Sequence, residues 1–134
     1  MSIDYGEKRI GIAISDPLRI TAQGLETYVR KKLELDLEYL IQIAKKNDVN
    51  TLVVGLPKNM NGSEGFKAEE VKSFVAQLHE IAPELKIVFI DERLSTVSAQ
   101  RVLIDGNVRR GKRKNVVDKL AATIILQSYL DSKN

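Results

Sequence analysis

Three acidic residues stand where the surrounding pattern calls for apolar ones. Asp4 lies in Ser2-Ile3-Asp4-Tyr5-Gly6, Glu92 in Asp91-Glu92-Arg93, and Asp118 in Val116-Val117-Asp118-Lys119-Leu120-Ala121-Ala122. Each closes an apolar run or falls on an apolar helix face. Three carboxylates brought together by one sheet would form an oxygen-rich set for hard divalent cations such as Mg²⁺ or Mn²⁺. Two such cations, about 4 Å apart, activate a water and stabilise the leaving oxygen of a phosphodiester. The chemistry suggested is nucleic-acid cleavage, with Asp4 bridging the cations and Glu92 and Asp118 holding one each.

A scaffold for these acids is legible along the chain. Residues 1–5 read as a short strand, Gly6-Glu7-Lys8 as a turn, and Arg9 to Ile14 as an alternating second strand, which together make a hairpin. Ser15-Asp16-Pro17 breaks the run because proline cannot donate to a ladder, and Asp16 reads as a cap or turn residue. Ile20 to Val29 supplies a third antiparallel strand. Leu33, Leu37, Leu40, Ile41 and Ala44 then form one helical stripe. Thr51-Leu52-Val53-Val54 is apolar on both faces, as expected of a central parallel strand, and ends in Gly55-Leu56-Pro57. Lys58 to Gly65 is rich in turn formers and reads as a mobile loop. Val71, Phe74, Val75, Leu78 and Ala82 mark a second helix closed by Pro83, and Lys86 to Ile90 repeats the buried-strand signature.

Beyond Arg93, Ser95 or Thr96 can cap a short helix carrying Ala99, Val102 and Leu103. Gly106 to Lys114 reads as a flexible basic linker, and Asn115 as the cap of a last helix running to about Leu130. The expected order is β-β-β-α-β-α-β-α-α. This is an α/β fold with a mixed five-stranded sheet, three antiparallel plus two parallel strands, and helices on both faces. One domain over residues 1–134 is expected, and that length can bury a core without staples.

Composition narrows the chemistry. The chain has no cysteine and a single histidine, His79, which reads as a solvent-facing helix residue. Disulfides, thiolate nucleophiles and Cys-based zinc sites are therefore excluded, and a Ser-His-Asp triad has little to work with. Charges at Asp4, Glu7, Lys8 and Arg9 leave no room for a signal peptide, and no apolar stretch approaches the roughly 18 residues of a membrane helix. A cytoplasmic protein with no membrane partner is expected. Net charge is +3, yet residues 101–119 carry seven Lys/Arg against Asp105 and Asp118, a local +5. That asymmetry points to a polyanionic partner, although a basic run is also an ordinary solvated loop.

Each acid has a plainer reading. Asp4 could start an Asx turn, and Glu92 could be a solvated strand-end acid. Its place after a parallel strand is nevertheless where open α/β sheets collect ligands. Asp118 could simply complement a helix dipole. However, its i+3, i+4 and i+7 neighbours are Ala121, Ala122 and Ile125, which puts its carboxylate on the buried side at a cost of several kcal/mol unless it is partnered.

The segments Asp4-Tyr5-Gly6-Glu7-Lys8-Arg9-Ile10-Gly11-Ile12-Ala13-Ile14-Ser15-Asp16, Val53-Val54-Gly55-Leu56-Pro57 with Gly62, Asp91-Glu92-Arg93-Leu94-Ser95-Thr96 and Val117-Asp118-Lys119-Leu120-Ala121-Ala122 resemble, in order and spacing, the four motifs of the YqgF family, also called RuvX. The resemblance spans essentially the whole chain. It implies a ribonuclease H-like fold related to Holliday-junction resolvases and a nuclease role in maturing the 5′ end of pre-16S ribosomal RNA. It also implies that Asp4, Glu92 and Asp118 are the catalytic, metal-holding acids. Ser95 stands where the family has threonine and keeps the hydroxyl. Only three residues precede Asp4, fewer than is usual in the family, which raises the expectation of weak anchoring near a fraying terminus.

Arg9 and Arg93 are candidates for contacting phosphates or orienting the acids, with surface pairing as the alternative. Arg109, Arg110, Lys112, Arg113 and Lys114 have no interleaved aromatics, so they are expected to grip phosphates without reading bases. No Gly-x-x-x-x-Gly-Lys-Ser/Thr is present. An actin-like ATPase, suggested by Asp4-x-Gly6, needs two lobes. The expectation is thus a nuclease using Mg²⁺ or Mn²⁺, two ions in all, on pre-rRNA or branched DNA, as a monomer or weak homodimer. The rival is a non-catalytic nucleic-acid-binding assembly factor.

Overall fold

In the computed structural model of the chain, residues 1–59, 61–94 and 110–133 are described. Strands β1 (Ser2–Tyr5), β2 (Arg9–Ser15) and β3 (Ala22–Val29) come first, followed by helix α1 (Leu33–Lys46), β4 (Thr51–Leu56), helix α2 (Phe66–Ile81) and β5 (Lys86–Asp91). A 3-10 turn at Glu92–Leu94 follows β5, and helix α3 (Arg110–Lys133) ends the described chain.

The five strands form one sheet in the order β3-β2-β1-β4-β5. The hairpin pairs β1–β2 and β2–β3 are antiparallel, whereas β1–β4 and β4–β5 are parallel. This is the expected mixed sheet. β1 lies between β2 and β4, so the strand carrying Asp4 is central. It is also paired from its first residues: the Val53 amide donates to the Met1 carbonyl at 2.9 Å. Asp4 is therefore firmly anchored, contrary to the expectation of a fraying start.

Strand alternation sorts side chains onto two faces. Ile3, Ile10, Ile12, Leu52, Val54 and Leu56 pack against Leu37, Leu40 and Ala44 of α1 and Val71, Phe74, Val75 and Leu78 of α2. Ala13 and Val53 point the other way, against Ala121, Ala122, Ile125, Leu126 and Leu130 of α3. α3 lies close to the sheet because small residues face each other there. The Ser2 hydroxyl, fully buried, donates to the Ala122 carbonyl at 2.6 Å and ties β1 to α3.

Two expectations need correction. β5 does not have the two-sided burial of a central strand: among the described strands it lies at the edge, with Lys86 exposed, Ile90 half-buried and Phe89 39% exposed. A five-residue apolar run is equally compatible with an edge that has a neighbour on one side only. Likewise, the basic stretch is not a linker up to Lys114, because α3 begins at Arg110, and Asn115 lies inside the helix. Arginine and lysine are good helix formers, and they outweigh the one glycine, Gly111, in that stretch. The short helix expected around Ala99, Val102 and Leu103 lies outside the described residues. Among the described residues, no helix is long and apolar enough to cross a membrane.

The α1 side also buries a charge. Asp36 is wholly buried and accepts hydrogen bonds from the Tyr28 hydroxyl (2.8 Å), the Lys31 amide (2.8 Å) and Arg30 Nε (3.0 Å). Burial alone would raise its pKa, but these three donors outweigh burial and hold the carboxyl below its ordinary value. Burial and the Asp36 hydrogen bond push the Tyr28 phenol up to about 12. A depressed carboxyl contributes stability that is complete above its unfolded pKa of about 4 and is lost as pH falls towards the folded value. Asp36→Asn should therefore cost about 2 kcal/mol at neutral pH. It should also flatten the acid limb of stability below about pH 4; thermal melts from pH 2 to 7 check both.

Candidate functional site

Asp4 is the third residue of β1, and its backbone register decides where its carboxylate goes. It pairs with Gly11 of β2. The β1–β4 register, Ser2 with Val53 and Ile3 with Val54, carried one residue further sets it beside Gly55. Paired residues project from the same face, so Asp4 stands between two glycines on the α3 side of the sheet. Neighbouring strands are about 4.8 Å apart, and Asp4 is only 5% exposed.

The other two acids fill the spaces beside those glycines. A Cβ on Gly11 would fall 1.9 Å from the backbone oxygen of Asp118, so α3 rests on β2 at the very residue that carries the acid. A Cβ on Gly55 would fall 2.7 Å from Oε1 of Glu92 and 2.5 Å from the Ile125 side chain. Glu92, at the start of the 3-10 turn, thus folds its carboxylate back over β4 and is 9% exposed. Gly11, Asp4 and Gly55 form a row across three strands, with Asp118 above one end and Glu92 above the other. The structure brings the three predicted acids to one end of one face.

Asp118 is less buried than the helical spacing implied. Its side chain is one-fifth exposed, and its Oδ2 accepts a hydrogen bond from Arg9 Nε at 3.0 Å. Arg9, on the same face as Gly11, therefore orients one of the acids. Arg93 instead engages Asp91: its amide donates to Oδ1 at 2.9 Å and its Nη2 to Oδ2 at 2.8 Å. That pairing holds the Asp91 carboxyl below its ordinary value. Asp91 is level with Leu56, whose side chain packs on the α1/α2 side, so it points away from Asp4. Asp16, as expected, is a turn residue whose Oδ1 accepts from the Ile20 and Thr21 amides.

The loop after β4 closes on itself among its described residues. The Asn59 amide donates to the Ser63 carbonyl and the Gly62 amide to the Asn59 carbonyl, both at 2.9 Å. Gly62, at φ +89°, takes the left-handed conformation that glycine adopts freely, and a Cβ added there would lie 3.6 Å from Nη2 of Arg93. Of the basic candidates, Arg109 lies outside the described residues, while Arg110, Lys112, Arg113 and Lys114 belong to the first turns of α3. A cavity of about 560 Å³ bounded by Met1, Asp16, Thr51 and Leu130 is at the opposite end of the strands from the acids.

The donor set consists of carboxylate oxygens alone, which suits a hard cation. Among the described residues, however, no three His, Cys, Asp or Glu side chains are gathered closely enough to hold an ion as they stand. The acids share a face, and Asp118 is held by Arg9 instead.

Sequence reasoning missed Ser2, Arg30 and Asp36. Ser2 had a readable signal, since it alternates with Asp4 and so shares its face.

Comparison with known proteins agrees with this architecture. The chain resembles a solved structure of T. thermophilus RuvC in complex with a Holliday junction substrate, with a TM-score of 0.59 over 98% of this chain and 92% of that one. At 13% identity the likeness speaks for the fold alone, which is ribonuclease H-like. A curated relative from Desulforamulus reducens, provisionally named pre-16S rRNA nuclease, is 51% identical over 132 residues, covering 98% of this chain and 96% of its own. Another from Caldanaerobacter subterraneus, with the same provisional name, is 52% identical, covering 99% and 96%. A family model described as RuvX, Holliday junction resolvase, matches residues 1–132, and the chain belongs to that family.

Proposed function

We propose that this chain is a divalent-cation-dependent nuclease that hydrolyses phosphodiesters in pre-16S ribosomal RNA, with residues 1–134 acting as one catalytic domain in the cytoplasm. The observation that carries the proposal is the row Gly11-Asp4-Gly55, with the backbone of Asp118 resting over one end and the carboxylate of Glu92 over the other. Asp4 and Glu92 are buried and Asp118 is one-fifth exposed, and a set of carboxylate oxygens on one face suits a hard divalent cation. Asp4, Glu92 and Asp118 would hold Mg²⁺ or Mn²⁺, with Asp118 turning from its hydrogen bond with Arg9 to do so. When bound, such ions lower the pKa of a water and stabilise the departing oxygen.

The remaining residues have supporting parts. Arg93, Arg109, Arg110, Lys112, Arg113 and Lys114 supply phosphate contacts that fix the strand without reading its sequence. The naming of the relatives supports RNA as substrate. The family description and the junction bound by RuvC favour a second reading, cleavage of branched DNA.

One experiment separates the readings. Purified protein is incubated with precursor 16S RNA and with a four-way DNA junction, each with Mn²⁺ and each with chelator. The proposal predicts Mn²⁺-dependent shortening of the RNA at its 5′ side and no product with chelator. Cutting of the junction alone would favour the DNA reading. Binding of RNA without cleavage and without Mn²⁺ uptake would make the chain an assembly factor and overturn the proposal.

A further inference from the structure

The partner of buried Asp36 spends its other donors on the turn that follows Asp4. Arg30 Nη1 donates to the Tyr5 hydroxyl at 2.8 Å and to the Gly6 carbonyl at 3.1 Å. The Arg30 amide donates to the Lys8 carbonyl at 2.9 Å. Its guanidinium lies over the rings of Tyr5 and Phe74, 4.8 and 5.2 Å from their centroids. The turn has no slack, because a Cβ on Gly6 would fall 2.6 Å from the Arg9 carbonyl oxygen. It leads directly into Arg9, whose Nε holds Asp118.

We propose that Arg30 is a positioning residue for the acid group. Anchored by Asp36, it staples the Tyr5-to-Lys8 turn from the α1/α2 side of the sheet, and the turn in turn places Asp4 and the Arg9–Asp118 pair on the α3 side. This inference rests on the reading of Asp4 and Asp118 as cation-holding acids.

The residue types suit the task. A guanidinium is planar and offers five donors, so it can meet a carboxylate, a hydroxyl and a carbonyl at once, whereas an ammonium cannot hold that arrangement. Asp36 is itself fixed by Tyr28 and the Lys31 amide, so Arg30 has a rigid anchor. No atom of Arg30 need approach the reacting phosphate for its loss to be felt. Misplacing reacting groups by an ångström can cost about a hundredfold in rate.

The test uses Arg30→Met combined with Asp36→Leu, together with Arg30→Lys alone. The double variant removes both charges at once, so neither ion is left buried alone, and methionine still covers the Tyr5 and Phe74 rings. It should still unfold cooperatively, though below the parental temperature because the Tyr28 hydroxyl and the Lys31 amide lose their acceptor. At temperatures where it is fully folded it should cut precursor RNA with kcat down at least about tenfold and KM unchanged. Its Mn²⁺ affinity should fall as well. Arg30→Lys keeps the charge opposite Asp36 and should restore an intermediate kcat.

A folded double variant with parental kcat and Mn²⁺ binding would overturn the inference. If the double variant fails to fold, Arg30→Lys decides: parental kcat there overturns the inference and a reduced kcat supports it. If the parent itself neither cuts nor binds Mn²⁺, the catalytic reading is what fails. Positioning is then judged in the Arg30→Lys protein by amide exchange over residues 6–11 and by the Asp118 carboxyl-carbon shift in NMR. Changes in both support the staple, and parental values overturn it.

Discussion

Asp4→Asn should leave the protein folded and unable to cut. Asp4 is the acid at the centre of the row, one strand away from the positions covered by Asp118 and by Glu92. Asparagine has nearly the same shape and keeps one acceptor oxygen, so the packing of β1 between β2 and β4 survives. It removes the negative charge that would attract a cation. Metal-based stabilisation of a phosphodiester transition state is worth several kcal/mol, so the expected loss in kcat is about a thousandfold or more. Stability should hold or rise, because a buried acid beside other acids is maintained at a cost to the fold. Single-turnover cleavage and a thermal melt on the same preparation check both halves. Undiminished cutting would remove Asp4 from the site.

Gly11→Ala should be among the most destabilising single substitutions in the chain. The new methyl would fall 1.9 Å from the Asp118 carbonyl oxygen and 2.4 Å from its carbon. Both are backbone atoms of α3, so no side-chain rotation can relieve the contact. The helix must lift from the sheet, and the bond from Ser2 to the Ala122 carbonyl lifts with it. Overpacking of this kind costs about 3 kcal/mol or more. Activity should fall further than stability alone explains, since the displaced helix carries Asp118. Urea denaturation gives the first quantity and cleavage under strongly folding conditions the second; an alanine variant of parental stability would refute the close approach.

Much of the fold could be read from periodicity. The hairpin over residues 1–14, the stripe of α1 and the buried run of β4 all appear where alternation and 3.6-residue spacing place them, and the third strand begins at Ala22, two residues after the expected Ile20. The edge position of β5 could not be read, because apolar residues in a short strand report burial without naming neighbours. The start of α3 at Arg110 was hidden by charge density and Gly111, which resemble a loop in composition although arginine and lysine extend helices well. The acids were legible as misfits in apolar surroundings. Their shared face follows from the register of three strands and from two glycines whose purpose depends on what approaches them. Arg30 and Asp36 were invisible for a similar reason: a charged residue after a strand and another in a helix's first turn look like surface until the fold closes over them.

The central claim is that Asp4, Glu92 and Asp118 form one cation-holding group, and Mn²⁺ titration followed by water-proton relaxation tests it most directly. The parent protein should bind Mn²⁺, and Asp4→Asn, Glu92→Gln and Asp118→Asn should each weaken that binding while the fold remains intact. Parental Mn²⁺ affinity in all three variants, or no binding by the parent, would contradict the account.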